Sequence, residues 1–501
     1  MSRYTRFLML GAALWVLALV DAASYAVQSC GPPPPAAPQR RTAGESFPPL
    51  PLPATPLRRT EKKRQPRPPS LFAKVAYGRQ EYEQGKSKKV QWPDWKTDPG
   101  DIETLLGWVN GQLGINYGSI ETDLAQFSYD PSDTPVLYLT GHNALTIDSA
   151  VAGKLRAYLQ DGGYLVADAC CGSQEFRDAF EKAMKQVFPD RPLRALSPEH
   201  PLFTACHDAT KVAYLNVADK SATAPLVKGI DIGCRTAVFY FPRDVSCGWS
   251  GHTHEKGERY DVESARKLGA NLVTYIIADY QLGRYLSSAK VYYQSGEKTR
   301  DEFVFGQLVH DGDYDPSPSG IANLLEYVDK ESSIHVQYKK VAVKPDSPDV
   351  FSFPLLYMVG HYDFTLSDAS VNNLKRFLAN GGILFAESCC GRKEFDAAFR
   401  REIAKVIGPD ALKPISPDSP LYHSFSPVDK VAYSPYAREI VGSLDKPLLE
   451  GALIDGNLAV IYSPLALANG WEQFDHPYSR GYDSTSALKI GMNVLVYAMS
   501  H

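Results

Sequence analysis

Apolar residues recur at helical spacing on Ile102, Leu105, Leu106 and Val109, and the same set returns on Ile321, Leu324, Leu325 and Val328, an offset of 219 residues. That offset also carries the apolar run PVLYLTGH (135–142) onto PLLYMVGH (354–361), and DGGYLVADACCG (161–172) onto NGGILFAESCCG (380–391). It continues through SPEHPLF onto SPDSPLY, and through KVAY (211–214) onto KVAY (430–433). An offset of 222 then aligns Gly248-Trp249 with Gly470-Trp471, Tyr260-Asp261 with Tyr482-Asp483, and LGANLVTY (268–275) with IGMNVLVY (490–497). Self-similarity on this scale marks two tandem copies of one domain.

Within each copy the pattern predicts a first strand (71–77; 303–309), an amphipathic helix (102–112; 321–331) and a short strand (115–119; 334–338). An all-apolar strand follows (135–140; 354–359), as expected of a strand buried on both faces. A helix capped by Asp148 or Ser367 ends at DGG or NGG, where glycine accepts a left-handed turn. The chain then re-enters the sheet as YLVADA or ILFAES. It leaves into a helix whose apolar stripe is Phe176, Phe180, Met184 and Val187, matched by Phe395, Phe399, Ile403 and Val406. Strands near 235–241 and 457–462 and a closing helix (262–278; 484–499) complete each copy. Alternating strands and helices predict an α/β architecture: two tandem domains, each a mostly parallel sheet with helices on both faces.

The ends of the chain read differently. Arg3 and Arg6 precede a 14-residue apolar run, Phe7 to Val20, and small residues follow, the pattern of an export signal. Asp21 interrupts the run before it reaches the roughly 20 residues a spanning helix needs. Cleavage after Ala22 or Ala26, lipidation at Cys30 and retention as an anchor all remain open. Residues 31–70 carry PPPP, PPLPLP and the basic run RRTEKKRQPR, and read as an extended tether with too little apolar material to pack. The expected organisation is therefore a signal or anchor (1–30), a linker (31–70), the first repeat (71–278), a link (279–301) and the second repeat (302–501). A formal charge of −4 gives no global basic excess, so no nucleic-acid partner is expected. An unidentified envelope protein or small molecule is, with membrane association through the N-terminus.

Ligands of open α/β sheets bind beyond the carboxyl ends of the strands. Two shared features fall there: His142 and His361 after the buried strand, and Cys170-Cys171-Gly172 and Cys389-Cys390-Gly391 after the next. A cysteine on a strand-to-helix turn lies near a helix N-terminus, which favours its thiolate. Cys170 and Cys389 are thus candidate nucleophiles, and His142, His361, Gly172, Gly391 and Gln174 candidate ligand-binding residues. Ordinary packing explains the same residues, because cysteine is among the most buried types. A disulfide from Cys170 or Cys171 to Cys206, Cys234 or Cys247 is equally open; those three stand opposite Phe425, Asn457 and Asn469 in the second copy. His252 and His254 have metal-like spacing but lie in a polar, Gly-containing stretch that reads as a solvated loop. No CxxC pair, HExxH or Asp-rich loop supports a zinc or EF-hand site, and neither a metal nor a cofactor is expected.

The Cys170-x-Gly172-x-Gln174 turn resembles the elbow of triad-type glutamine amidotransferases, in which the first cysteine would be the nucleophile; Lys393 replaces the glutamine in the second copy. The downstream His-x-Glu pair of those enzymes has no matching counterpart in both copies. More broadly, the xGGxLxAxxCCGxxEF block, SPxHPLF, the Gly-Trp pair and GMNVLVYAMSH resemble the bacterial domain of unknown function 4159. The resemblance covers residues 71–278 and 302–501 and implies a fold similar to class I glutamine amidotransferase and flavodoxin-like domains, with exported or membrane-associated placement and no established activity. His200 matches the histidine of the SPxHPLF pattern, where the second copy has Ser419.

The expected function is a non-catalytic exported binding or scaffolding protein. The alternatives are a cysteine hydrolase or amidotransferase using Cys170 or Cys389, and a sugar-binding module using Trp249 and Trp471 if they are exposed. The first copy is expected to carry any specific site, since it alone has Gln174, His200, His252, His254 and an insertion of about fourteen residues around GRQEYEQGKSKKVQWPDW.

Overall fold

The computed structural model describes residues 68–77, 80–84, 88–219, 221–252, 257–286, 304, 306–334, 340–473 and 476–500. The expected signal sequence and nearly all of the Pro/Arg-rich tether lie outside them, as does His254. The described chain forms two compact units, each treated separately below: one runs through Ile230 and takes Ala237–Thr274, and the other comprises Asp231–Thr236 and the chain from Tyr275 onward.

The first repeat begins with β1 (Ser70–Val75), the hairpin β2 (Gln80–Gln84) and β3 (Lys88–Trp92), then α1 (Asp101–Leu113) and β4 (Gly118–Thr122). It continues with β5 (Val136–Gly141), α2 (Ser149–Gln160), β6 (Tyr164–Ala169), α3 (Gln174–Val187) and β7 (Arg194–Ala195). It closes with β8 (Tyr214–Leu215), β9 (Lys228–Ile232), β10 (Arg235–Phe241), α4 (Ser246–Ser250), β11 (Arg259–Tyr260) and α5 (Val262–Leu286). The sheet order is β4-β1-β5-β6-β10-β9-β7. Its first five strands are parallel, in the flavodoxin-like order with the earliest strand second from the edge.

The second repeat runs through β12 (Gly306–Leu308), α6 (Gly320–Glu331), β13 (Val341–Val343), β14 (Leu355–Gly360), α7 (Asp368–Ala379), β15 (Ile383–Ser388) and α8 (Lys393–Ile407). It ends with β16 (Lys413–Pro414), α9 (Pro435–Val441), β17 (Glu450–Ile454), β18 (Asn457–Ser463), α10 (Ala468–Trp471) and α11 (Ser484–Ser500). The order β13-β12-β14-β15-β18-β17-β16 reproduces the first sheet, and the two edge strands β17 and β16 pair antiparallel. The α/β class and the two mostly parallel sheets agree with the hydrophobic pattern.

Local expectations hold where one residue decides them. Asp148 accepts from Val151 N at 2.8 Å and Ser367 from Ser370 N at 3.2 Å, so both second-layer helices start at their expected caps. Three differences appear. The helix α5 runs to Leu286, so the region expected to link the copies begins as helix; 287–303 lie outside the described residues. The short strand expected at 334–338 is found as β13 at Val341–Val343, with 335–339 outside the described residues. The insertion of the first repeat forms the β2–β3 hairpin.

Trp249 and Trp471 are wholly buried, which removes the basis for a sugar-stacking role. Each indole N–H donates to a backbone carbonyl, Ala265 O at 2.9 Å and Ala487 O at 2.8 Å, and each ring packs on a core tyrosine, Tyr138 or Tyr357. A Cβ on Gly248 or Gly470 would collide with Ala265 or Ala487, so the Gly-Trp pair is what allows the closing helix to approach. Among the described residues, no helix is long and apolar enough to cross a membrane.

Candidate functional site

The carboxyl ends of β5 and β6 bring a histidine and two cysteines together. Asp94, on the turn after the β2–β3 hairpin, is fully buried; its Oδ2 accepts from the backbone N–H of His142 (2.6 Å) and of Asn143 (2.8 Å), and its Oδ1 lies 3.1 Å from His142 Nδ1. The carboxylate thereby fixes the imidazole. One nitrogen of that ring and the sulfurs of Cys170 and Cys171 all lie within 4.8 Å of one another. Cys170, Asp244 and Cys247 form a second such group, sharing Cys170.

Asp244 organises the elbow: it accepts from Cys171 N at 2.7 Å and Cys247 N at 3.0 Å, and its Oδ2 is 3.6 Å from Cys170 Sγ. Asp168, at the end of β6, accepts from Val245 N at 2.8 Å; burial, then the charge of Asp244, pushes its carboxyl well above the usual range. The surroundings of these thiols are therefore acidic.

In the second unit Asp313 Oδ2 lies 2.8 Å from His361 Nδ1, and His361 Nε2 lies 3.4 Å from Cys390 Sγ. Cys389 Sγ is 3.7 Å from Cys390 Sγ and 3.5 Å from Cys234 Sγ. Cys234 belongs to this unit through the turn between β9 and β10, and it forms a disulfide with Cys390, the Cα atoms 5.9 Å apart. The disulfide found among the described residues is Cys234–Cys390, in place of the expected pairing of Cys170 or Cys171 with Cys206, Cys234 or Cys247; Cys206 and Cys389 are free thiols. Burial, then the neighbouring Glu387, pushes the Cys389 thiol well up.

The strained backbone of each elbow falls on the second cysteine, not on the first: φ is 56° at Cys171 and 54° at Cys390, whereas Cys170 and Cys389 sit on the strand side, fully buried. Gly172 (φ 68°) and Gly391 (φ 61°) follow, and a Cβ there would stand 3.1 Å from Glu258 Cβ or 2.7 Å from Arg480 Cβ. The two glycines are thus required by the turn itself. Gln174 lies exposed on the first turn of α3 and bonds Asp178 at 2.6 Å, away from the imidazole. His200 caps a short turn by accepting from Leu202 N at 3.0 Å, the role Ser419 plays for Leu421 N at 3.4 Å, which explains why a serine replaces it. His252 lies 3.3 Å from Asp98, whose carboxyl is pushed up to about 8 by burial and by Asp101.

A carboxylate, an imidazole and a cysteine sulfur thus lie in series in each repeat, as Asp94–His142–Cys171 and Asp313–His361–Cys390. The matched histidine sits upstream of the elbow, at the end of the preceding strand, and not in a downstream His-x-Glu pair. The family model for a domain of unknown function, DUF4159, matches the chain twice, over residues 72–277 and 304–499. The chain belongs to the DUF4159 family. Each DUF4159 match contains one complete carboxylate–imidazole–sulfur series, while Cys234 lies in the first match and its disulfide partner in the second. No curated protein matches the chain.

Three members of these centres escaped sequence reasoning. Asp94 and Asp313 share the offset of 219 that aligns the histidines, so a search for shared acids would have found them. Asp244 aligns with Ala466 and left no such signal. Cys234 was among the disulfide candidates, but as a partner of Cys170 or Cys171; its bond to Cys390, 156 residues away in sequence, left no signal.

Proposed function

We propose that the protein is an exported, non-catalytic binding or scaffolding protein of the cell envelope, whose sheets offer their strand ends to an envelope protein or small molecule. The observation that carries this reading is the setting of Cys170 and Cys389, both buried beside carboxylates. A nucleophilic cysteine needs a positive, partly open environment that lowers its pKa. Cys170 is fully buried with the Asp244 carboxylate at 3.6 Å, Cys389 is buried with its thiol pushed up, and Cys390 is engaged in a disulfide. The apolar run from Phe7 to Val20 behind Arg3 and Arg6 supports export.

A second reading, a thiol hydrolase or amidotransferase, is favoured by one specific feature: Cys171 is only half-buried, carries the elbow strain and shares its surroundings with His142, which Asp94 holds. Iodoacetamide labelling of the native chain across pH, with mass-spectrometric assignment, decides between them. For a binding protein, Cys170 and Cys389 stay unlabelled and Cys171 reacts with an apparent pKa at or above the free-thiol value of about 8.5. Reaction of Cys171 with an apparent pKa well below that value, lost in H142A, overturns the non-catalytic reading.

A further inference from the structure

We infer that Cys234, Cys389, Cys390 and His361 together form a metal site for a thiophilic divalent ion of the zinc type, open when the Cys234–Cys390 disulfide is reduced and closed when it is formed. Four ligand atoms, three sulfurs and one imidazole nitrogen, lie within 4.8 Å of one another, and all four residues are buried. In a tetrahedral zinc site, metal–sulfur and metal–nitrogen bonds of about 2.3 and 2.0 Å place ligand atoms roughly 3.8 Å apart for sulfur pairs and about 3.5 Å apart for sulfur and nitrogen. The measured edges are 3.7 Å (Cys389 to Cys390), 3.5 Å (Cys234 to Cys389) and 3.4 Å (Cys390 to His361 Nε2). A group of four this tight suits one ion; a multi-iron cluster holds its thiolates farther apart. Sulfur and imidazole select a soft or borderline cation over calcium or magnesium.

The surroundings fit the same purpose. Asp313 holds the far nitrogen of His361 at 2.8 Å, the arrangement in which a carboxylate orients a metal-bound imidazole and raises its basicity. Polar groups face the sulfurs: Ser317 Oγ lies 3.8 Å from Cys389 Sγ, and Asn469 Nδ2 lies 3.9 Å from Cys390 Sγ. An ion supplies the positive charge that lets the thiolates form there.

The switch balances as follows. A dithiol reductant gives two electrons and two protons to the Cys234–Cys390 bond, which breaks into two thiols while the reductant leaves as its cyclic disulfide. The ion then binds three sulfurs and His361 Nε2, and three protons are released. Reoxidation by a small-molecule disulfide, which takes up the two electrons and two protons and leaves as its dithiol, re-forms the Cys234–Cys390 bond; this removes two of the four ligands, and the ion is released as Cys389 takes up a proton.

Cobalt(II) is a suitable probe because tetrahedral thiolate coordination gives intense visible bands and a sulfur-to-metal charge-transfer band in the near ultraviolet. The full chain, reduced with a dithiol and freed of it, is titrated with cobalt(II) and then with zinc; disulfide content and far-ultraviolet circular dichroism are followed in parallel. Reduced wild type is expected to develop these bands and to lose them to zinc. C389S and C234S should each lack the part of the signal that belongs to this site, and the oxidised chain should bind at least tenfold more weakly. D313N, which leaves all four ligands, should weaken binding by about 10- to 100-fold. C389S retains both cysteines of the disulfide, so its fold can be checked in the oxidised state. Equal signal from reduced wild type and folded C389S, or equal binding by reduced and oxidised chains, overturns the proposal.

Discussion

The two repeats place the same residues at the strand ends and finish them differently. In the first, Asp94 binds both the ring of His142 and the backbone after it, Asp244 fills the space behind the elbow, and Cys171 stays half-buried. In the second, Asp313 binds the ring, the backbone N–H groups of His361 and Tyr362 turn to Gly312 O at 2.9 and 3.1 Å, and Ala466 stands where Asp244 does. The space is closed by sulfur instead, since Cys234 reaches Cys389 and Cys390. A shared scaffold therefore fixes where the histidine and cysteines go. The fourth neighbour, a carboxylate in one unit and a cysteine sulfur in the other, decides whether the centre is acidic and partly open or sulfur-rich and sealed.

If the scaffold is equivalent in both halves, its deepest shared packing should be equivalent too. W249A and W471A each remove a fully buried indole with one backbone hydrogen bond, and each should cost about 3–5 kcal/mol. Chemical denaturation of each variant, followed by circular dichroism, measures this. A loss below about 1 kcal/mol in one repeat alone would show that the two cores are not equivalent.

The repeats should share a raised carboxyl at the end of the matching strand, Asp168 in the first and Glu387 in the second, and differ in their acid response. Glu387, buried against Tyr357 and accepting from Leu467 N and Ala468 N, has its carboxyl pushed from 4.5 to about 7 by burial. The folded state thus holds this proton more tightly than the unfolded state. Stability is fully present below the unfolded pKa and is lost as pH rises through about 7, by on the order of 3 kcal/mol. His310 acts at the other end. Its Nδ1 accepts from Gly312 N at 3.1 Å, its Nε2 lies 3.0 Å from Val359 O, and burial lowers its pKa from 6.5 to about 4. Here the folded state disfavours the proton, so stability falls by a similar amount as pH drops from 6.5 to about 4. The matching position in the first repeat is Tyr77, whose hydroxyl donates to Thr140 O at 3.0 Å and carries no charge in this range. H310Y should flatten the acid side of the stability profile and E387Q the neutral side. An unchanged profile in either variant would exclude that group as a source of the dependence.

How much of this was legible in the sequence follows from which forces are local. Burial of Val136–Gly141 and Tyr164–Ala169 on both faces, the caps at Asp148 and Ser367 and the glycine turns are set within a few residues, and periodicity exposed them. The register of the repeats followed from the same positions. The carboxylate partners of the histidines were not sought upstream, because the amidotransferase likeness directed attention downstream. Whether Trp249 and Trp471 are exposed or cap the core was open in the sequence, and the small residue beside each is what lets a helix cover it. The Cys234–Cys390 bond depends on a turn that packs with the second compact unit, a relation no local pattern encodes.

The smallest expected effect tests the equivalence most strictly. In the first repeat Lys228 on β9 lies 2.6 Å from Glu181 on α3; at the matching positions the second repeat has Glu450 on β17 and Arg400 on α8, the same bridge with its charges exchanged. The exchange also changes the geometry, because the guanidinium meets both oxygens of Glu450, at 2.7 and 2.9 Å, and reaches Asp396 at 3.0 Å. These side chains are 21–40% exposed, so each pair should contribute less than about 1 kcal/mol, the fork somewhat more than the ammonium. A double-mutant cycle in the first repeat follows directly: E181R alone and K228E alone each place like charges together and should destabilise, whereas E181R/K228E should recover the loss. If the strand and helix stand in the same relation in both repeats, the double variant forms the fork and its coupling equals or exceeds that of the native pair. Failure of the double variant to recover either single loss would mean that the two repeats share order and register but not the spacing between this helix and its sheet.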